Sequence, residues 1–405
     1  MTQTWDVTDP AGADAGARVL PLAVIGAGVV SPAGIGLDRL GLPPTGADGP
    51  ADGPALPDGP DRAEYPPRPA YAVPELRLAD HVGRKGIRYI DRMTALCLVA
   101  GRLALTDAPA EAPAGVPEDA PAEGAAADTG VVLGTSTGSV VSMADLAEEA
   151  LTSELPYLVN PSRFPNTVMN SSAGQLAIRN ALRGVNATIA GGQLSSLLAL
   201  RYARLAIGQG RARRLVVGGV EELSARTAWA WEHSGLLAGG TALGEGCAMF
   251  VVDGRAEPAG PDCLAVLLAC DVRYCGAPQA GPRAPAAGLV SAVRRALARS
   301  AVDPAEVECV ALGSAGLRGL RHSEERAVAE ALGRSLDTLA VIRPARTVGM
   351  TYSATGAMQL AALLAGWRRG DLPAGPALVT TIGPDGNVGC QVVRPGPRVR
   401  RHADR

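Results

Sequence analysis

Apolar residues come in short blocks along this chain, and the blocks alternate in character. VLPLAVIGAG (19–28), TGVVLG (129–134), NATIAG (186–191), RLVVGGV (214–220) and CAMFVVD (247–253) are aliphatic runs bounded by glycine or polar residues. Continuous runs of this length read as strands covered on both faces. Between them, GIRYIDRMTALCLVAGRLALT (86–106), SVVSMADLAEEALTSEL (139–155), AGQLAIRNAL (173–182) and QLSSLLALRYARLAI (193–207) carry apolar positions at helical spacing. The second half repeats the rhythm. Its predicted strands are 263–274, 307–314, 338–344, 376–383 and 390–396, and its predicted helices are 286–300, 321–332 and 356–369. Strands alternating with helices predict an α/β fold with a mainly parallel, buried sheet system. The similar order of the two halves suggests an internal duplication, although no repeat is visible in the sequence. Residues 1–18 read as a disordered tail, 41–75 and 107–128 as Pro-, Gly- and Ala-rich loops, and 397–405 as a polar tail.

Composition narrows the function classes. With 47% hydrophobic and 19% charged residues over 405 positions, the chain can bury a large core. No apolar run reaches the roughly 18–20 residues of a membrane helix. The net charge of −2 gives no electrostatic case for nucleic acid or anionic lipid, and 3% aromatic content is too low for base-stacking platforms. Of the 38 basic residues only Lys85 is a lysine, which leaves almost no candidate for lysine chemistry. The seven cysteines (97, 247, 263, 270, 275, 309, 390) form no C-x-x-C and sit mostly in apolar runs, as buried reduced thiols do. The acidic N-terminus is not a signal peptide, so a cytoplasmic location is expected.

Each candidate motif is weaker than it looks in isolation. GAGVVSPAG (26–34) fails as a dinucleotide fingerprint, because Ser31 stands where the third glycine belongs and no acidic residue follows at the required distance. The four histidines, His81, His233, His322 and His402, have no metal-ligand spacing, and no metal is expected. The most informative stretch is 164–203. A strand ends in Ala190, Gly191 and Gly192, and Gln193 opens a helix. A nucleophile at such a turn would sit at the positive end of the helix dipole, with backbone N–H groups ready for an oxyanion. Glutamine cannot be that nucleophile.

Over residues 19–396 the chain resembles the β-ketoacyl synthases. The resemblance is carried by VIGAGVVSPAGIG (24–36), KGIRYIDRMT (85–94), FPNTVMNSSAGQLAIR (164–179), LGEGCAMFVVD (243–253) and GMTYSATGAMQLA (349–361). It implies a thiolase-like fold of two duplicated halves, 19–254 and 260–396, in five layers α-β-α-β-α, assembled as a dimer. It also implies where reactive groups should be: a cysteine at 193, and histidines at 312 and 350. The sequence has Gln193, Leu312 and Met350 there, and Ala345 near the place of an expected lysine. Glutamine forms no thioester, and leucine and methionine donate no hydrogen bond to an oxyanion.

A ketosynthase scaffold emptied in this way resembles the chain length factor, or ketosynthase β, of type II polyketide synthases. The resemblance implies no cofactor. It implies three partners: a catalytic ketosynthase α subunit, an acyl carrier protein and the growing polyketide chain. It also implies that Phe164, Thr167, Val168 and Met169 line a chain-length tunnel, although packing of a dimer core is the plainer role for them. The small Val168 leans towards a deeper tunnel of the highly reducing, polyene-forming type, with the aromatic type still open. Three other readings stand beside this one. They are a malonyl-carrier decarboxylase using Gln193, an acyl transferase using Ser195 or Ser196, and a homodimeric acyl-binding scaffold.

Overall fold

A computed structural model of the chain describes residues 20–41, 63–109, 128–254, 256–276 and 283–403. The expected N-terminal tail, and most of the loops placed at 41–75 and 107–128, lie outside the described residues.

Ten strands form the continuous path of the main sheet: β1 (Leu22–Ser31), β2 (Thr129–Gly134), β3 (Asn186–Ile189), β4 (Arg214–Glu221), β5 (Gly246–Asp253), β6 (Ala265–Tyr274), β7 (Cys309–Leu312), β8 (Ala340–Ile342), β9 (Ala377–Ile382) and β10 (Asn387–Pro395). The first five lie in the order β3-β2-β4-β5-β1 and the last five in the order β8-β7-β9-β10-β6. Rank by rank, this is the same arrangement twice. Polarity agrees too. β2 is parallel to β3 and β4, while β5 runs antiparallel to β4 and β1. β7 is parallel to β8 and β9, while β10 runs antiparallel to β9 and β6. The duplication that the chain order suggested is therefore real in topology. Strand pairing joins the halves where Leu22–Val24 meets Ala265–Leu267, and isolated bridges join them at Leu237–Leu317 and Leu243–Met350.

The helices of seven residues or more are α1 (Arg92–Asp107), α2 (Val140–Thr152), α3 (Ser171–Arg179), α4 (Ser195–Gly208), α5 (Ala225–Ser234), α6 (Arg283–Ser300), α7 (Leu320–Leu332), α8 (Thr355–Arg369) and α9 (Pro397–Ala403). Three apolar clusters define the layers. One packs α1 onto the outer face of the first sheet through Leu96, Val99, Val131 and Val251. A second packs α6 and α7 onto the outer face of the second sheet through Leu289, Val293, Val328 and Val392. The third lies between the sheets, where Leu197 and Leu200 of α4 meet Leu360 and Leu363 of α8. Val131 and Val132 fall in different clusters, as alternation across a strand covered on both faces requires. From Thr355 to Trp367 every residue of α8 is buried, the pattern of a helix enclosed on all sides.

The glycines of GAGVVSPAG serve this packing. A Cβ on Gly26 or Gly28 would stand 2.4 or 2.1 Å from the carbonyl oxygens of Ala104 or Ala100. They let α1 lie directly on β1. Helix α1 begins later than the expected 86, because Asp91 caps it by accepting from Thr94 N at 2.6 Å. Helix α5 was invisible to periodicity: Ala228 is its only buried residue, and a Ser224–Thr227 capping box fixes its start. The polar segment after Gly396 turns out to form α9. Val399 is buried there, and Arg398 donates to Ile25 O (3.0 Å) and to Asp107 Oδ1 (2.6 Å). No helix among the described residues is long and apolar enough to cross a membrane.

Candidate functional site

Strand β3 ends at Ile189, and one tight turn, Gly192–Leu194, leads into α4. Gly192 has φ +57°, and a Cβ there would stand 2.5 Å from Asp385 Oδ2, so only glycine fits. Gln193 is fully buried. Its Nε2 donates to Gly313 O at 2.7 Å, and its Oε1 has no hydrogen-bond partner. Gly313 directly follows Leu312, the last residue of β7. The fold thus brings positions 193 and 312 together, and the amide spans the two halves.

The loop after Leu312 is held by Glu324 of α7. This buried carboxyl accepts from Gly313 N (3.1 Å), Ser314 N (2.8 Å) and Thr380 Oγ1 (2.7 Å). Met350 is buried in a small apolar cluster with Leu237, Leu243 and Leu317. Its N–H donates to Ala242 O at 2.9 Å, and its carbonyl accepts from Gly244 N at 3.0 Å. Three turns therefore converge, 191–194, 312–317 and 348–353. Their side chains at the key positions are an amide committed to a carbonyl, a leucine and a methionine.

The nearby serines are engaged. Ser195 Oγ lies 2.7 Å from Gly192 O and accepts from Gly191 N at 3.0 Å. Ser196 Oγ accepts from Ala357 N at 3.1 Å. No histidine reaches them among the described side chains: His233 stacks on Trp229, and His322 is exposed beside Glu325. Ala345 lines a cavity of about 460 Å³ with Arg321, Arg343 and the turn residues Ala315, Gly316 and Leu317. Among the described residues no cluster of His, Cys, Asp or Glu could hold a metal ion.

Sequence reasoning missed the buried carboxyls. Glu221 meets Ser353 N and Ser353 Oγ, while Ser353 Oγ also lies 3.1 Å from Val220 O. A hydroxyl has one proton, so a protonated Glu221 satisfies all three groups. Burial pushes Glu221, Glu222 and Glu324 each up to about 7. A signal was present: paired acids closing an aliphatic strand (VVGGVEE) are poorly solvated. The sign follows. In the unfolded chain these acids release protons near 4.5, while the folded chain keeps them up to about 7. Their contribution is full below pH 4.5 and is lost as pH rises to 7. The urea midpoint is expected to be higher at pH 5.5 than at pH 8, with the gap narrowed by Glu221→Gln. Equal midpoints in the wild-type chain would show that these groups are ionised in the fold.

The four expected tunnel residues lie together on and beside the turn Phe164–Thr167, on an open face. Phe164 is 60% exposed and Val168 43% exposed. Met169 packs against Gly138. A neighbouring cavity of about 600 Å³ is lined by Asn166, by charged groups such as Arg88, Arg92 and Glu222, and by apolar Ile90, Val141 and Leu223. The same region carries further uncovered apolar residues, with Tyr157 75% and Ile178 74% exposed. Strand β3 ends the sheet, paired only with β2. Uncovered apolar area beside an unpaired strand edge is a face that calls for a partner.

Comparison with known proteins agrees with this geometry. Residues 75–257 match the family model "Beta-ketoacyl synthase, N-terminal domain", and residues 264–377 match "Beta-ketoacyl synthase, C-terminal domain". The chain is 28% identical to the actinorhodin polyketide beta-ketoacyl synthase 2 of Streptomyces coelicolor over 378 residues, 86% of each chain. It is 33% identical to the solved ishigamide ketosynthase/chain length factor, with a TM-score of 0.75 over 93% of this chain and 99% of that one. A type II polyketide synthase ketosynthase in complex with its acyl carrier protein, AntDE:AntF, shares the fold with a TM-score of 0.70 at 17% identity, over 93% of this chain and all of that one.

Proposed function

The chain belongs to the β-ketoacyl synthase family, and from that premise we propose that it is the non-catalytic, chain-length-setting subunit of a type II polyketide synthase, paired with an active ketosynthase. One observation carries the reading. The three positions where the family keeps its reactive groups hold Gln193, Leu312 and Met350, and all three are built into the core. A decarboxylase would need donors for the enolate. Here Gln193 Nε2 gives an N–H to Gly313 O from a fully buried amide, and the other two side chains have no N–H or O–H to give.

The uncovered face around Tyr157, Phe164, Ile178 and β3 supports the pairing. Obligate interfaces commonly bury more than about 2,000 Å². Coexpression with a ketosynthase that retains its cysteine and both histidines is expected to give a 1:1 heterodimer, and expression alone a poorly soluble chain. A stable monomer at micromolar concentration on sizing chromatography would count against the reading.

Within that heterodimer, Phe164, Thr167, Val168 and Met169 form one wall of the chain tunnel, which the catalytic subunit completes, with the acyl carrier protein delivering the chain. The small aliphatic Val168 suits an apolar, reduced chain of the polyene-forming type, since a poly-β-ketone would leave its carbonyls without partners. Val168→Phe is expected to shorten the carrier-bound products at similar turnover, read by mass spectrometry. A residue that only packs the interface would instead cost about 1–3 kcal/mol of pairing at unchanged product length.

A further inference from the structure

Helix α4 turns one stripe outward: Arg201, Leu205 and Gly208 are exposed, at spacings of four and three. Arg204, beside the stripe, is largely buried. Its Nη2 donates to Leu267 O at 3.1 Å, where the pairing of β6 with β1 stops, and its Nε finds no acceptor. The charge around it is one-sided. Asp271 accepts from Arg295 (3.1 Å), Arg299 (3.3 Å) and Arg273 (3.3 Å). One carboxylate is thus shared by three guanidinium groups. Arg201 makes no ion pair among the described residues. Arg201, Arg204 and Arg299 all act on the buried Cys270 thiol next to Asp271, which places them around one point. Burial, the largest effect, pulls the Arg204 guanidinium below its ordinary range, and Arg299 adds to it. A guanidinium withdrawn from water needs an anionic partner, and the described residues form no ion pair with Arg204.

We propose that the catalytic partner brings a carboxylate against Arg201 and Arg204, and that this contact selects the heterodimer over a pair of identical chains. The stripe belongs to a helix that packs against β3, the strand whose outer edge is unpaired. A second copy of this chain would present the same excess of arginine, and like charges across an interface reject the wrong partner. The proposal rests on the heterodimer reading, and one experiment separates the two.

The full-length chain is titrated against an active ketosynthase that retains its cysteine and both histidines, at low and at high salt. At low salt, Arg201→Glu and Arg204→Gln are each expected to weaken pairing about tenfold or more, and the loss should shrink at high salt. Arg201 is exposed, so its variant is expected to keep the wild-type melting temperature; it carries the test if Arg204→Gln misfolds. Wild-type pairing left within twofold by Arg201→Glu at low salt overturns the proposal and leaves the heterodimer reading intact. A wild-type chain that pairs with no ketosynthase removes both.

Discussion

Glu324→Leu is expected to cost the fold about 3–5 kcal/mol. The carboxyl is buried and receives Gly313 N, Ser314 N and Thr380 Oγ1. Leucine fills a similar volume but leaves three donors out of water and without acceptors, at about 1–3 kcal/mol each. Relief from burying the acid offsets part of the sum. Urea unfolding at pH 6.5 reads the loss directly. The neighbouring Glu325→Ala is the control. Glu325 is only half-buried, and Arg321 and Arg343 beside it hold its carboxyl below the usual range. A solvent-reached pair of this kind contributes about 1 kcal/mol. Equal losses in the two variants would mean that Glu324 does not hold the 313–314 loop.

Gln193→Cys is expected to leave the chain unable to condense or decarboxylate malonyl-carrier substrates above background. A thiol at the start of α4 still faces Leu312 and Met350, which offer nothing to a developing oxyanion; a missing oxyanion donor alone costs on the order of 10²–10³ in rate. The substitution also removes the donor to Gly313 O, so a stability loss of about 1–2 kcal/mol accompanies it. Single-turnover assays with radiolabelled malonyl-carrier, run on the wild-type, Gln193→Cys and Gln193→Ala chains, check this. Acetyl-carrier formed by the wild-type chain and lost in Gln193→Ala would establish the decarboxylase instead.

Much of the architecture was legible because its strands are covered on both faces. Runs such as VVLG and LVVGG have no solvent side and stand out as unbroken aliphatic blocks. The order of those blocks carried the duplication, even though the residues of the two halves have diverged beyond recognition. Helix α5 gave no such signal, since a helix with one buried residue has no apolar stripe to detect. The reactive positions were found through resemblance, and the fold then supplied the local reason for Gln193. Its partner, the carbonyl of Gly313, lies 120 residues away, beyond any local pattern. The same limit applies to Asp271. Its surplus of arginine partners comes from β6 and α6 folding over one another, and the charges look balanced along the sequence.

The central layer has a consequence for how the chain is made. Helix α4 ends at Gly208, and α8, which covers its inner side, begins at Thr355. About 150 residues must be synthesised between them, which at roughly 5–20 residues per second takes about 7–30 s. For that interval the first half can close its outer core, built from α1, β1 and β2, and can seat α4 on β2 and β4, while the side of α4 turned towards α8 has nothing to pack against. A nascent chain arrested between Ser300 and Pro344 is therefore expected to be a chaperone client, with α4 as the segment it presents.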